Sequence, residues 1–157
     1  MLQLTEPAIE NGFHAHIATL IQKTYCEKTS KEIIISPDKR EMGKLLYEAP
    51  FALLAHDASD DPVFFYANLM AQALFEMPWN AITKLPSRFS AESINQIERE
   101  RLLSQVSLKG YIDNYSGVRI SRTGRRFLIK GATVWSLTNE DEILVGQAAI
   151  FKDVIHL

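Results

Sequence analysis

Hydrophobic positions recur at helical spacing at the start of the chain, where Ile9, Phe13, Ile17, Leu20, Ile21 and Tyr25 form one stripe. With Thr5 able to cap and Pro7 suited to a first turn, this spacing predicts an amphipathic helix of about five turns. Ser36-Pro37-Asp38 reads as a second helix start, followed by the stripe Met42, Leu45 and Leu46, with Pro50 ending it. The texture then changes. Phe51 to Ala55 is a short apolar run, read as a strand buried on both faces, and His56 to Pro62 is a polar turn. Val63 to Tyr66 is a second strand, and Asn68 is placed to cap a short helix carrying Ala71, Leu74 and Phe75 inward. Pro78 breaks that helix and Trp79 to Ile82 adds one turn.

Ser90 is positioned to cap a longer helix to about Leu108, with Ile94, Ile97, Leu102, Leu103 and Val106 apolar and Glu98 to Arg101 as its wet section. Gly110 stops it. From Tyr111 on, the period is two. Val118 and Ile120 alternate with polar residues, and Arg122 to Arg125 is a turn around Gly124. Phe127, Ile129, Thr133, Trp135 and Leu137 continue the alternation, placing Arg126, Leu128, Lys130, Ala132 and Val134 on the opposite face. Asn139 to Glu142 is a turn, and Ile143 to Phe151 is the last strand, with Gly146 inside it. The expected fold is therefore α+β: one five-stranded antiparallel sheet, short helices on one face, and amphipathic helices at the N-terminus. The first strand pair is expected to join beside the final strand, because sequential hairpins occupy the other edge.

At 157 residues one domain is expected, and 46% hydrophobic residues suffice for an ordinary core. The net charge of −2 argues against broad nucleic-acid or membrane-surface binding. The one cysteine, Cys26, permits neither an intramolecular disulfide nor a thiolate cluster, which fits a cytoplasmic setting. No signal peptide is evident, and no apolar run approaches the roughly 20 residues of a membrane span.

The segments "FALLAHD", "DPVFFYAN", "LFEMPW", "LPSRFSAE", "ERERLL", "GYIDNYSGVRIS", "GRRFLIKGATVW" and "GQAAIF" occur in this order and resemble the MEKHLA domain, a PAS-related module. The resemblance covers about Phe51 to Phe151. It implies a MEKHLA/PAS-like domain over residues 51–157 behind an N-terminal helical extension over 1–50. It implies a sensing, small-molecule-binding or protein-interaction role, with no catalysed reaction. The plant members of this family are transcription factors with homeodomain and zipper segments, which this sequence lacks; it resembles the free-standing bacterial form. PAS relatives that form a flavin adduct need a cysteine in the central helical segment, and haem-binding ones a histidine on the longer helix. Cys26 lies far upstream, and residues 90–108 contain no histidine. No cofactor is therefore named.

The expected ligand site is a cavity between sheet and helices, walled by Phe75, Trp79, Phe89, Tyr115, Trp135 and Gln147, with Arg88 as a polar contact. Core packing is the competing reading for both tryptophans. Gln147 requires a hydrogen-bond partner if it points inward. The basic run from Arg119 to Lys130 is expected to line a solvent-facing sheet surface, with Arg119 or Arg126 also able to pair with acids of a docked helix. Arg88 is most simply a salt-bridge residue, and His56-Asp57 with Asp60 and Asp61 a structural turn rather than a metal site. The expected partners are a small-molecule ligand and a second copy of the chain, joined through the N-terminal helix. A small cone-shaped α+β enzyme using a His56/Asp57 base pair, and a ligand-free interaction scaffold, are the two competing functions.

Overall fold

The computed structural model describes residues 3–35, 38 and 40–157. Ser36 and Pro37, the expected start of the second helix, lie outside these residues. The elements are α1 (Ala15–Thr29), α2 (Met42–Tyr47), β1 (Ala52–Asp57), β2 (Phe64–Ala67), α3 (Leu69–Phe75), α4 (Trp79–Ile82), α5 (Ser93–Lys109), β3 (Tyr111–Ile120), β4 (Arg126–Thr138), β5 (Leu144–Phe151) and β6 (Asp153–His156). Five strands lie in the order β2-β1-β5-β4-β3, every pairing antiparallel, so the first strand pair does join beside β5. The sequence pattern ends the last strand at Phe151 and gives no sign of β6. After Lys152 this short strand continues along β4, pairing Phe127 with His156 and Lys130 with Asp153.

The N-terminal helix is shorter than its stripe predicts. Gly12, Phe13 and His14 take positive φ angles of 61°, 51° and 50°, and a 3₁₀ turn over Ile9–His14 precedes α1. The Asn11-Gly12 pair supplies the break: the Asn11 side chain accepts from the Ala8 amide at 2.9 Å and draws the backbone into a turn instead of a helix. Ile9 is consequently 81% exposed, outside the stripe it seemed to begin.

Helices cover both faces of the sheet. One face carries α3 and α5. On the other, α1 and α2 bury Ile17, Ile21 and Leu46 against Leu53, Trp135, Leu137 and Ala148. Each large side chain fully buried here is worth roughly 2–3 kcal/mol. The apolar stripe of α1, the reason for expecting a homodimer through this helix, is thus covered by the chain's own sheet. Asn68 ties the two layers. Fully buried, it accepts from the amides of Leu53 and Ala71 and donates to the carbonyls of Leu46 and Phe51, so one side chain caps α3, ends α2 and holds β1.

The strict alternation expected along β4 fails at one point. Between Ile129 and Ala132 the strand carries an extra residue relative to β3, and Gly131 adopts φ 66°. A matching irregularity in β3, with Asn114 at φ 56°, restores the register. These bulges invert the later half of β4. Phe127, Ile129, Ala132 and Val134 face α3 and α5, whereas Trp135 and Leu137 face α1.

Two glycine substitutions separate backbone strain from crowding. A Cβ on Gly131 would meet only Asn114 Oδ1, at 3.9 Å, so Gly131→Ala is expected to cost about 1–2 kcal/mol through its φ alone. A Cβ on Gly146 would run into the His56 carbonyl oxygen across the β1–β5 ladder, so Gly146→Ala is expected to cost more, roughly 3 kcal/mol. Chemical denaturation of the two variants measures this order directly.

Candidate functional site

A cavity of about 70 Å³ lies between α5 and the adjacent sheet face, lined by residues of β1, β2, β3, β4, β5, α3 and α5. At roughly 10–15 Å³ for each water, it would hold about five waters or one small molecule. Most of its wall is apolar: Leu54, Phe64, Phe75, Leu102, Ile129, Ala132, Val134 and Phe151. Its polar lining is His56, Ser90, Arg99, Tyr115, Arg119 and Gln147.

Each polar group has a distinct origin. Arg99 occupies the buried stripe of α5, three residues before Leu102 and seven before Val106, and is only 6% exposed. The expectation of a wet section from Glu98 to Arg101 is overturned at this residue. Ile94 and Ile97, expected inside, are out of phase with that stripe and are 84% and 70% exposed. Arg99 Nη2 donates to Ser87 Oγ at 2.5 Å. Burial lowers its pKa to about 10, with the nearby Arg119 charge acting in the same direction.

Arg119 corrects a second expectation. It does sit opposite in parity to Val118 and Ile120, but that face is the cavity side, where Arg119 is 7% exposed. Its guanidinium donates to the Val118 carbonyl at 2.8 Å and the Tyr115 hydroxyl at 3.2 Å. The Tyr115 hydroxyl in turn donates to Glu98 at 2.9 Å. Burial raises the pKa of Tyr115, partly offset by the Arg119 charge and its hydrogen bond. The other cations of the run lie outside the cavity: Arg125 pairs with Glu76 at 3.7 Å and Arg126 with Glu92 at 2.5 Å.

Gln147 points inward and finds the partners it requires. Its Nε2 donates to Ser107 Oγ at 3.1 Å and the Leu103 carbonyl at 3.3 Å, fastening α5 to β5. His56 lies beside it in the ladder. The His56 Nδ1 sits 2.9 Å from the Asp57 carbonyl oxygen, so it carries the proton in the neutral ring, while Nε2 has no protein partner. Burial depresses the His56 pKa to about 4. Asp57 turns its carboxylate into the following loop, accepting from the Ser59 hydroxyl at 2.6 Å and the amides of Ser59 and Val63. Burial works to raise its pKa, but these hydrogen bonds outweigh it and hold the group below the usual value.

Of the seven residues expected at the ligand site, the structure brings Phe75, Tyr115 and Gln147 together at the cavity and leaves four elsewhere. Trp135 lies across the sheet under α1, donating to Thr24 Oγ1 at 2.9 Å and packing edge-on to Tyr25. The Gly131 bulge put it there. Trp79 packs against Tyr66 and Tyr47 and donates to the Leu4 carbonyl at 2.9 Å. Arg88 forms a surface ion pair with Asp61 at 3.0 Å and stacks on the half-exposed Phe89 ring. The polar lining residues that sequence reasoning did not place at the cavity are His56, Ser90, Arg99 and Arg119. Only Arg99 carried a usable signal, its spacing to Leu102 and Val106.

The family model of the MEKHLA domain matches residues 15–155, from the first residue of α1 into β6. No curated protein sequence matches the chain. Among solved structures, a PAS domain from Colwellia psychrerythraea is similar at a TM-score of 0.63 and 13% identity, over 75% of this chain and 95% of that one. A light-oxygen-voltage domain studied with a flavin analogue gives 0.59 and 13%, over 74% and 84%. The PAS domain of a LuxR-family transcriptional regulator from Burkholderia thailandensis, solved in complex with ethanol, gives 0.53 and 18%, over 73% and 95%. At these identities the likeness establishes the PAS fold.

The buried neutral imidazole predicts a pH signature. Its folded pKa of about 4 lies below the ordinary 6.5, so the unfolded chain binds the extra proton between those values. Stability is therefore full above about pH 6.5 and falls by up to about 1.4 kcal/mol for each unit down toward pH 4. Denaturation of wild type and His56→Asn across this range is expected to show the His56-dependent slope only in wild type.

Proposed function

The chain belongs to the MEKHLA domain family, and from that premise we propose that it acts as a PAS-like sensory module that binds a small molecule and catalyses no reaction. The observation that carries this reading is the cavity itself: an apolar chamber with a few buried polar groups has the composition of a small-ligand site. It favours the binding reading over a ligand-free scaffold, whose core would be closed. The competing enzyme reading needs His56 and Asp57 to work as a base pair. The imidazole instead contacts the Asp57 main chain, and the carboxylate serves the 57–63 turn. An imidazole with a pKa near 4 is also a weak base at neutral pH.

In this reading, occupancy of the cavity alters how α5 rests on the sheet. Gln147 lines the cavity and holds α5 through Ser107 and Leu103, so a ligand displacing its side chain would loosen that helix.

Native mass spectrometry of the purified chain, beside a denatured control and an absorption spectrum, is expected to show a non-covalent adduct, or a bare protein whose melting temperature rises with added small molecules. Ala149 lines the cavity, and Ala149→Leu would fill part of it. This variant is expected to fold, as judged by circular dichroism, and to lose the adduct or the thermal shift. A folded Ala149→Leu protein that binds as wild type does would place the site elsewhere.

A further inference from the structure

We propose that the ligand is a small organic acid, its carboxylate held between Arg99 and Arg119 and its apolar body lying against Phe75, Leu102, Ile129 and Val134. The inference rests on the small-molecule reading above and names the chemistry of its ligand.

The two guanidiniums carry the argument. Both line the cavity, and both are more than nine-tenths buried. Taking a cation out of water costs several kcal/mol unless a partner and hydrogen bonds compensate it. Among the described residues, neither arginine forms an ion pair with an acid. Arg99 donates to the hydroxyl of Ser87, and Arg119 to a main-chain carbonyl and the Tyr115 hydroxyl, all neutral acceptors. Glu98 reaches this group only through the Tyr115 hydroxyl, at the exposed edge. Arg119 also lies near enough for its charge to disfavour that of Arg99. An anion between them removes both costs at once, and a guanidinium's planar fork matches a carboxylate.

The walls select the rest of the molecule. Inorganic phosphate offers nothing to Phe75, Leu102, Ile129 or Val134, whereas a carboxylate on a short aliphatic body satisfies both ends of the chamber. His56, also in the lining, is a neutral ring whose free Nε2 can only accept, so the anion belongs at the arginine end.

The test is calorimetric titration and thermal shift of the full chain with propionate and butyrate, against propionamide, butyramide and inorganic phosphate. The acids are expected to bind at least about tenfold more tightly than their amides, equivalent to about 1.4 kcal/mol. Phosphate is expected to bind more weakly than butyrate. Arg99→Met and Arg119→Met are each expected to weaken butyrate about tenfold or more, with Arg88→Met, which removes a surface ion pair, unchanged. Amides binding as well as acids, phosphate binding as well as butyrate, or arginine variants indifferent to butyrate would overturn the assignment. Should a methionine variant fail to fold, Arg→Lys and the acid-against-amide comparison in wild type decide the matter. A chain that takes up other small molecules but no acid refutes the organic-acid assignment and leaves the sensory reading standing. A chain that binds none, with Ala149→Leu indifferent throughout, removes both.

Discussion

The β3–β4 hairpin carries paired irregularities at Asn114 and Gly131, and the division of the molecule into a cavity side and a packed side follows from them. Asp113 and Asn114 stand opposite Thr133 alone, and Lys130 and Gly131 opposite Ser116 alone. Each extra residue exchanges the two faces of its strand beyond that point, because side chains alternate with a period of two. The Asp113 side chain accepts from Thr133 Oγ1 at 2.7 Å and from the Asn114 amide at 2.9 Å, which steadies the β3 bulge. Without the bulge in β4, Trp135 would project toward α5 into the space now held by the cavity. With it, the small side chain of Ala132 and the modest one of Val134 occupy that side, and the indole goes to α1.

Room for a ligand thus arises from a backbone device on one side of the sheet and a tight aromatic seal on the other. On the packed side, Trp135, Tyr25, Ile17, Ile21 and Leu137 form the apolar interior that stabilises the sheet. On the cavity side, α5 lies over the sheet through a thinner set of contacts, Leu102 and Val106 with Val134, supplemented by the hydrogen bonds of Gln147. Burying Arg99 and Arg119 there gives up stability that an apolar residue of similar size would have supplied. Sites that must recognise polar ligands commonly carry such a local cost, and the well-packed opposite face offsets it.

Helix placement follows the same division. The apolar stripe of the segment before Phe51 is covered in part by α2 and in part by the outer sheet face, which offers Leu53, Trp135 and Ala148. Asn68 couples the segment to the sheet through four hydrogen bonds, three of them buried, that reach α2, β1 and α3. Such a fully satisfied buried amide adds specificity, because any displacement of these elements leaves several polar groups unpaired in a dry interior. The PAS sheet and the helices that precede it therefore form one packed structure.

The local patterns determined a good deal by themselves. Period-two runs bounded by turn residues marked the strands, Asn68 and Gly110 marked helix ends, and hairpin adjacency implied the sheet order that β1 and β5 adopt. Three of the cavity residues, Phe75, Tyr115 and Gln147, were legible because their elements have an evident inner side. Tertiary structure decided what lies past an irregularity or against a distant element. The face of Trp135 depends on one extra residue at Gly131, which reads in sequence as ordinary alternation. Trp79 left the cavity for contacts with Tyr47 and the Leu4 carbonyl, far away along the chain. Arg119 looked like a solvent-facing cation because a strand's parity says which residues share a face but not which face another layer covers. Parity and helical phase are local properties of the backbone, whereas burial is set by what packs above it, and only the assembled layers decide that.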